Sequence, residues 1–143
     1  MQNIILAIAL LLLTAFASQA QCDKKVKWHA TSRDIIDSEG KVVNTKAATI
    51  TIETSGKTVS LEMLESPDQK ADGEVKDITC NWTELFKNGT AVYNVVLTRV
   101  NGDTTPATIT IEAKDGKITL TINVEKARGR LVRMNIDKYE EVK

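Results

Sequence analysis

The residue types that most often carry covalent or metal chemistry are scarce in this chain. It has one histidine, His29, and two cysteines, Cys22 and Cys80. A serine or cysteine nucleophile needs a base within reach, and His29 is the only imidazole that could serve. Zinc sites need several His or Cys ligands at short spacings, which these three residues do not provide. The sequence therefore predicts no catalytic residue, no metal and no cofactor, and indicates a protein that is not an enzyme.

Paired carboxylates are the other groups that could act on a substrate, as the acid and base of a glycosidase do. Acidic residues are plentiful, but nearly all of them fall in turns or on the polar faces of predicted strands. The sequence also contains no EF-hand loop, phosphate-binding loop or dinucleotide-binding motif. Nothing in the sequence therefore brings two carboxylates together in a cleft.

The two cysteines are better suited to a structural role. In an oxidising compartment an even pair most simply forms one disulfide, here between Cys22 and Cys80. Closing a loop of this length contributes about 4 kcal/mol to stability by the chain-entropy estimate. The disulfide would also tie the N-terminal arm, which is otherwise prone to fray, to the middle of the domain.

The N-terminus indicates the export that such a disulfide requires. Residues 4–13 are an almost unbroken apolar run, and the small residues that follow end in Ser18-Gln19-Ala20. This ending fits the small-x-small rule for signal peptidase, and the run is shorter than the roughly 20 residues that span a bilayer. We predict a signal peptide over residues 1–20 and a secreted or periplasmic protein that starts at Gln21 and has no stable membrane insertion.

Two alternatives for this N-terminus stay open. No Lys or Arg precedes the apolar run, which leaves an uncleaved anchor or a buried N-terminal helix as the first alternative. The second is a bacterial lipoprotein in which Cys22 is lipidated. Lipoproteins usually hold Leu three residues before that cysteine and Gly or Ala directly before it, whereas this chain has Gln19 and Gln21.

Length and charge indicate one domain without a polyanionic partner. Residues 21–143 are close to the commonest domain size. The whole chain has 19 Lys and Arg against 19 Asp and Glu. With no net charge, nothing draws the protein to nucleic acid or to an anionic membrane surface, and we predict no nucleic-acid partner.

Alternation of apolar and polar residues over short runs is the main pattern after residue 20. It is clearest in residues 107–114 and 118–125, which flank Asp115-Gly116. That dipeptide predicts a two-residue hairpin, because both central residues of a type I′ turn need positive φ. Similar runs predict other strands, among them a first strand over residues 26–32 and a last strand over residues 131–139. The pattern predicts an all-β domain of about seven to nine antiparallel strands.

Such a sheet either closes into a small barrel or stacks as a β-sandwich. Short sequential hairpins over residues 91–139 favour an up-and-down barrel, the architecture of the lipocalins, or a half-barrel. Lipocalins carry a tryptophan on their first strand within a Gly-x-Trp motif; Trp28 has this place, but Val26 stands where the glycine would be. We therefore predict a lipocalin-like barrel or a β-sandwich, without a family match.

The function expected from these features is non-enzymatic binding. A barrel would hold a small apolar ligand between the apolar faces of its strands, although the same faces serve equally well as a solid core. The candidate lining residues are Trp28, Ile50, Ile52, Leu61, Met63, Ile109, Ile111, Leu120, Ile122 and Met134.

The alternative function is a sandwich-type interaction module without a ligand cavity, of the adhesion, envelope-assembly or inhibitor kind. Such a module would contact a protein partner through exposed loops. The polar loop over residues 66–73 and the segment over residues 82–88 are its candidate contact surfaces.

Overall fold

Nine β-strands form one antiparallel sheet in the computed structural model, which describes residues 21–127 and 129–143. The predicted signal peptide, residues 1–20, lies outside the described residues. The strands are β1 (Val26–Ile36), β2 (Val42–Thr54), β3 (Thr58–Met63), β4 (Ala71–Glu84), β5 (Asn88–Arg99), β6 (Thr104–Lys114), β7 (Lys117–Val124), β8 (Leu131–Asn135) and β9 (Lys138–Glu141). Two short 3-10 helices are present, η1 (Pro67–Gln69) and η2 (Glu125–Ala127).

The first eight strands close into an up-and-down barrel. Each strand pairs with the next along the chain, and β1 pairs with β2 along one edge and with β8 along the other. This pairing of the first and eighth strands removes the free edges that a stacked pair of sheets would keep. The barrel prediction is confirmed, and the β-sandwich alternative is wrong because all strands belong to one closed sheet.

The hairpin between β6 and β7 has the predicted geometry. Both Asp115 and Gly116 have positive φ, 52° and 79°, and Lys114 pairs with Lys117 directly before and after them. The strands keep one register from this turn to the far end of the ladder. Because side chains alternate between the two faces of a strand, one set of apolar residues from each strand points into the barrel.

The last strand differs from its prediction over residues 131–139. It is divided into β8 and β9, which pair with β1 in one continuous register. Between them Asp137 turns its carboxylate toward Thr31, and one oxygen accepts hydrogen bonds from the Thr31 backbone N–H and Oγ1, each 2.9 Å long. The Asp137 side chain thus takes the place of a backbone carbonyl as the acceptor for the Thr31 N–H. Beyond this point β9 continues along the same edge of β1.

The up-and-down order gives the barrel two distinct ends. The loops after β1, β3, β5 and β7 lie at one end, which we call the open end. The loops after β2, β4 and β6 lie at the opposite end, together with residues 21–25 and β9, and we call this the closed end. Among the described residues, no helix has the length and apolar character needed to cross a membrane.

Candidate functional site

The closed end of the barrel is filled by aromatic side chains. The ring of Phe86, in the turn between β4 and β5, lies 5.2 Å from the ring of Trp28 and 5.5 Å from that of Trp82. The Tyr139 ring, on β9, lies 5.0 Å from Phe86. These contacts are edge-on, the arrangement that the charge distribution of aromatic rings favours. Trp28 and Phe86 are buried in this cluster, whereas Tyr139 is 44% exposed at its outer side.

Polar groups inside the closed end have partners. The indole N–H of Trp28 donates a hydrogen bond of 2.9 Å to Oγ1 of Thr54, and both residues are buried. Burial raises the pKa of Tyr93 above its usual 10.0, and the nearby Thr54 hydroxyl only partly opposes this shift. Since an unpaired buried donor costs free energy, the hydrogen bond between Trp28 and Thr54 lets the indole be buried in the core at this end without that cost.

A disulfide between Cys22 and Cys80 also belongs to the closed end, and its prediction is confirmed. The two Cα atoms are 6.2 Å apart, and neither cysteine is free. The bond joins the segment before β1 to β4. The backbone N–H of Val142 also donates to the Lys25 carbonyl at 2.8 Å, so both terminal segments of the domain are tied down here.

The open end instead contains a cavity of about 700 Å³. This volume lies within the range of about 300–1,000 Å³ that is typical of small-molecule sites. Most of the wall is aliphatic, from Ile50, Leu61, Met63, Ala71, Leu97, Val100, Ile122, Val124, Val132 and Met134. The polar lining residues are Arg33, Asp68, Gln69, Arg99 and Asn101.

The ten residues proposed from the sequence as cavity lining lie at two levels of the barrel. Those at the level of the cavity are Ile50, Leu61, Met63, Ile122 and Met134. Those that do not line the cavity are Trp28, Ile52, Ile109, Ile111 and Leu120, and they are among the most deeply buried side chains. All ten share the inward alternation, but only the level nearest the open end leaves space between opposite walls.

Arg33 is the main lining residue that was not predicted. The first strand was expected to end at Ser32, but β1 continues to Ile36. Its pairing register with β2 shifts between Ala30 and Ser32, and beyond this break Arg33 lies on the inner face and lines the cavity. An irregularity of this kind has no clear signature in the sequence, so alternation alone would not have placed Arg33 inside.

Other missed lining residues did carry a signal. Leu97 continues the inward alternation of Tyr93 and Val95 on β5, and all three are buried. Val132 lies directly opposite Ile122 in the ladder between β7 and β8. Extending each apolar face to the end of its strand would have found both residues.

The rim of the cavity is formed in part by the loop between β3 and β4, which includes η1. Glu65 anchors this loop, because its carboxylate accepts the Thr49 backbone N–H at 2.9 Å and 3.0 Å. Hydrogen bonds from the side chain and then the backbone of Thr49 hold the pKa of Glu65 below its usual 4.5. Leu64 and Val100 are exposed beside this rim, so the apolar character of the wall continues to the surface.

The two segments expected as protein contact surfaces have different surroundings. In the loop over residues 66–73, Asp68 and Gln69 line the cavity. In the segment over residues 82–88, Phe86 is buried in the aromatic cluster and has a positive φ of 59°. The first segment therefore belongs to the cavity, and the second closes the opposite end.

His29 lies on the outer face of the barrel, away from the cavity. Its Nε2 is 3.0 Å from Oε1 of Glu140, and its Nδ1 is 3.5 Å from Oγ1 of Thr51. No serine or cysteine side chain is among these partners. Within residues 21–127 and 129–143, no three His, Cys, Asp or Glu side chains are grouped closely enough to hold a metal ion.

No protein-family model, curated protein or solved structure matches this chain.

Proposed function

We propose that the protein is an exported, non-enzymatic binding protein that holds a small, largely apolar ligand in the open end of its barrel. The observation that carries this proposal is the cavity of about 700 Å³ with aliphatic walls. Moving apolar surface out of water contributes about 25 cal/mol per Å², so a ligand that covers these walls gains free energy on entering.

The architecture supports binding without a large conformational cost. The cavity walls are strands of a closed barrel, and the opposite end of that barrel is filled and cross-linked by the Cys22–Cys80 disulfide. A preformed site loses less conformational entropy on binding than a site that must order itself. The proposal includes no catalytic step, because the candidate base His29 lies outside the cavity.

Export is part of the same proposal. A disulfide is the expected state of paired cysteines outside the cytoplasm, and Cys22–Cys80 is formed. We propose that residues 1–20 are removed and that the protein is secreted or periplasmic. The mass of the protein recovered from its own host tests this directly: the expected value is that of residues 21–143 less two hydrogens. A mass that includes residues 1–20, or a lipid on Cys22, would contradict it.

Binding is tested by titration with N-phenyl-1-naphthylamine, a neutral apolar probe that fluoresces when it leaves water. We expect a saturable signal in the purified protein. Ala71→Phe should abolish or strongly weaken this signal, because Ala71 lines the cavity and a benzyl group there fills it. Ala47→Phe is the matched control, since Ala47 is exposed on β2 and does not line the cavity.

The results separate cavity binding from surface binding. A signal that is lost in Ala71→Phe and kept in Ala47→Phe supports the proposal. No saturable signal in the unmodified protein, or an equal signal in both variants, would overturn it. The sandwich fold of the alternative is wrong, but its role in contacting a protein partner stays an untested prediction.

A further inference from the structure

The guanidinium of Arg33 is an unusual group to find in the wall of an apolar cavity. Its Nε atom is shielded from solvent and has no hydrogen-bond partner among the described residues. Buried polar atoms in proteins almost always have a partner, and a buried donor without one costs about 1–3 kcal/mol. The free protein therefore carries an unfavourable feature in the wall of its candidate site.

A second cation lies next to Arg33 on the same face of the sheet. Lys46 on β2 is its direct cross-strand partner, and directly opposed side chains in an antiparallel pair share a face. Like charges in this arrangement repel each other. None of the ion pairs between described residues includes Arg33 or Lys46.

Neither the acidic residue next to Arg33 in the chain nor the one in the cavity lining forms an ion pair with Arg33. Asp34 follows Arg33 in the chain, but its carboxylate accepts a hydrogen bond of 2.7 Å from Thr45 and lies 4.0 Å from the Arg133 guanidinium. Asp68 is the one acidic residue in the cavity lining, and it is exposed on η1 at the rim. The lining also includes a second arginine, Arg99, so cations outnumber anions in this wall.

We infer that the ligand is an amphiphile with an apolar body and an anionic oxygen head group, and that Arg33 pairs with this head group. The inference rests on the proposed function, because it assigns a chemical class to the ligand of the same cavity. The planar guanidinium fork matches the oxygens of a carboxylate or a phosphate. The aliphatic walls contact the apolar body, and the head group supplies an anionic partner for the Arg33 guanidinium, which has no ion pair among the described residues.

The test compares ligands that share one tail and differ in the head group. Dodecanoate, dodecyl phosphate and the neutral dodecanol are each added to the protein–probe complex at constant ionic strength, and displacement of the naphthylamine probe gives the dissociation constant of each ligand. A charge-assisted hydrogen bond corresponds to about a tenfold or larger change in dissociation constant. At least one anionic ligand should therefore bind about tenfold tighter than dodecanol, and the tighter of the two identifies the head group as carboxylate or phosphate.

Variants assign this preference to Arg33. Arg33→Met should weaken the preferred anionic ligand about tenfold and leave dodecanol nearly unchanged, because the walls remain. Arg33→Lys keeps the charge but loses the planar fork, so its affinity for the preferred anionic ligand should lie between those of the unmodified protein and Arg33→Met. Arg130→Met is the matched control, because Arg130 is an exposed arginine that does not line the cavity.

Each outcome bears on one of the two proposals. A preference for an anionic ligand that disappears in Arg33→Met and persists in Arg130→Met supports the inference. Equal binding of all three ligands, or an equal loss in both Met variants, overturns the role of Arg33 and leaves the binding function intact. If the unmodified protein binds neither the probe nor any of the three ligands, the proposed function itself fails.

Discussion

The two ends of this barrel are built from the same alternation of side chains, yet one end is packed with side chains and the other contains a cavity. On β1 the closed end presents Trp28, whose N–H is bonded to Thr54. The open end presents Arg33, whose Nε has no partner among the described residues. The comparison separates, within single strands, residues that stabilise the fold from residues that line the proposed binding site.

The contacts that stabilise the folded state are concentrated at the closed end. The closed end has the aromatic cluster, the disulfide and both terminal segments. The open end has aliphatic side chains around a cavity and the Arg33 guanidinium, whose Nε has no partner among the described residues. Proteins depart from full packing and full hydrogen bonding most often at functional sites, and compensate elsewhere in the fold. We therefore expect matched substitutions at the two ends to have opposite consequences for stability and binding.

The largest difference should come from truncating one side chain at each end. Trp28→Ala should lower the free energy of unfolding by about 3–5 kcal/mol, because it opens a cavity in a packed core and removes the donor to Thr54. Met63→Ala, in the half-buried wall of the existing cavity, should cost about 1 kcal/mol or less, since water already has access there. Urea unfolding of both variants measures this, and equal losses would remove the distinction between the ends.

Removal of the disulfide should have the next largest effect. The double variant Cys22→Ser and Cys80→Ser should lose about 2–4 kcal/mol, because the unfolded chain regains the entropy of a long open loop. Binding of the naphthylamine probe should remain at temperatures where the variant is folded, since the bond lies at the closed end. Loss of binding in the folded variant would show that the cavity depends on the opposite end.

Adding volume gives the reverse comparison. Ala91→Phe places a ring in a fully packed part of β5, where Ala91 is 1% exposed, and should cost about 1–3 kcal/mol through overpacking. Ala71→Phe should change stability little, because its ring enters open space in the cavity. Thermal unfolding of the two variants is the measurement. A large loss in Ala71→Phe would mean that the cavity is smaller than the structure describes.

Removing the Arg33 guanidinium should stabilise the free protein. Arg33→Met replaces an unpaired buried donor with an apolar group of similar length, and we expect a gain of about 1 kcal/mol. Together with the loss of affinity for an anionic ligand, this would be a trade of binding for stability. Urea unfolding without ligand measures it, and a loss of stability would show that Arg33 has a structural partner.

The smallest effect concerns the outer face, where His29 and Glu140 meet. The hydrogen bond from His29 is the main cause that lowers the pKa of Glu140 below its usual 4.5. A carboxyl group with a lowered folded-state pKa contributes stability above its unfolded pKa, and the contribution is lost as the pH falls through the folded value. Glu140→Gln should therefore be slightly less stable than the unmodified protein above pH 4.5, and the difference should vanish in more acidic solution. Thermal unfolding across this range checks it; a difference that grows on acidification has the wrong sign.

Much of the fold could be predicted from the sequence because its signals are local. The alternation in β6 and β7 and the Asp115-Gly116 turn between them involve only neighbouring residues. The pairing of Cys22 with Cys80 followed from there being two cysteines in the whole chain. The choice of a barrel over a sandwich needed the pairing of β1 with β8, which depends on contacts distant in sequence.

The position of the cavity was harder to predict because alternation specifies the face of a strand and not the level along the barrel. Ile50 and Ile52 are two residues apart on β2, yet Ile50 lines the cavity and Ile52 is fully buried. Whether space remains at a given level depends on how the opposite strands and the loops fill the barrel. Arg33 also lies beyond a register break, so its inward orientation depends on a local irregularity that the residue pattern does not show.

Amide chemical shifts of the isotope-labelled protein, followed while the naphthylamine probe is added, would locate the ligand within the barrel. If the open end is the binding site and the closed end a solid core, the largest shifts should occur at Met63, Leu97 and Val132, while the amides of Ile111 and Leu120 stay in place. Shifts spread over the outer face or centred on Trp28 and Phe86, or none at a saturating probe concentration, would contradict this division of the barrel into a binding end and a structural end.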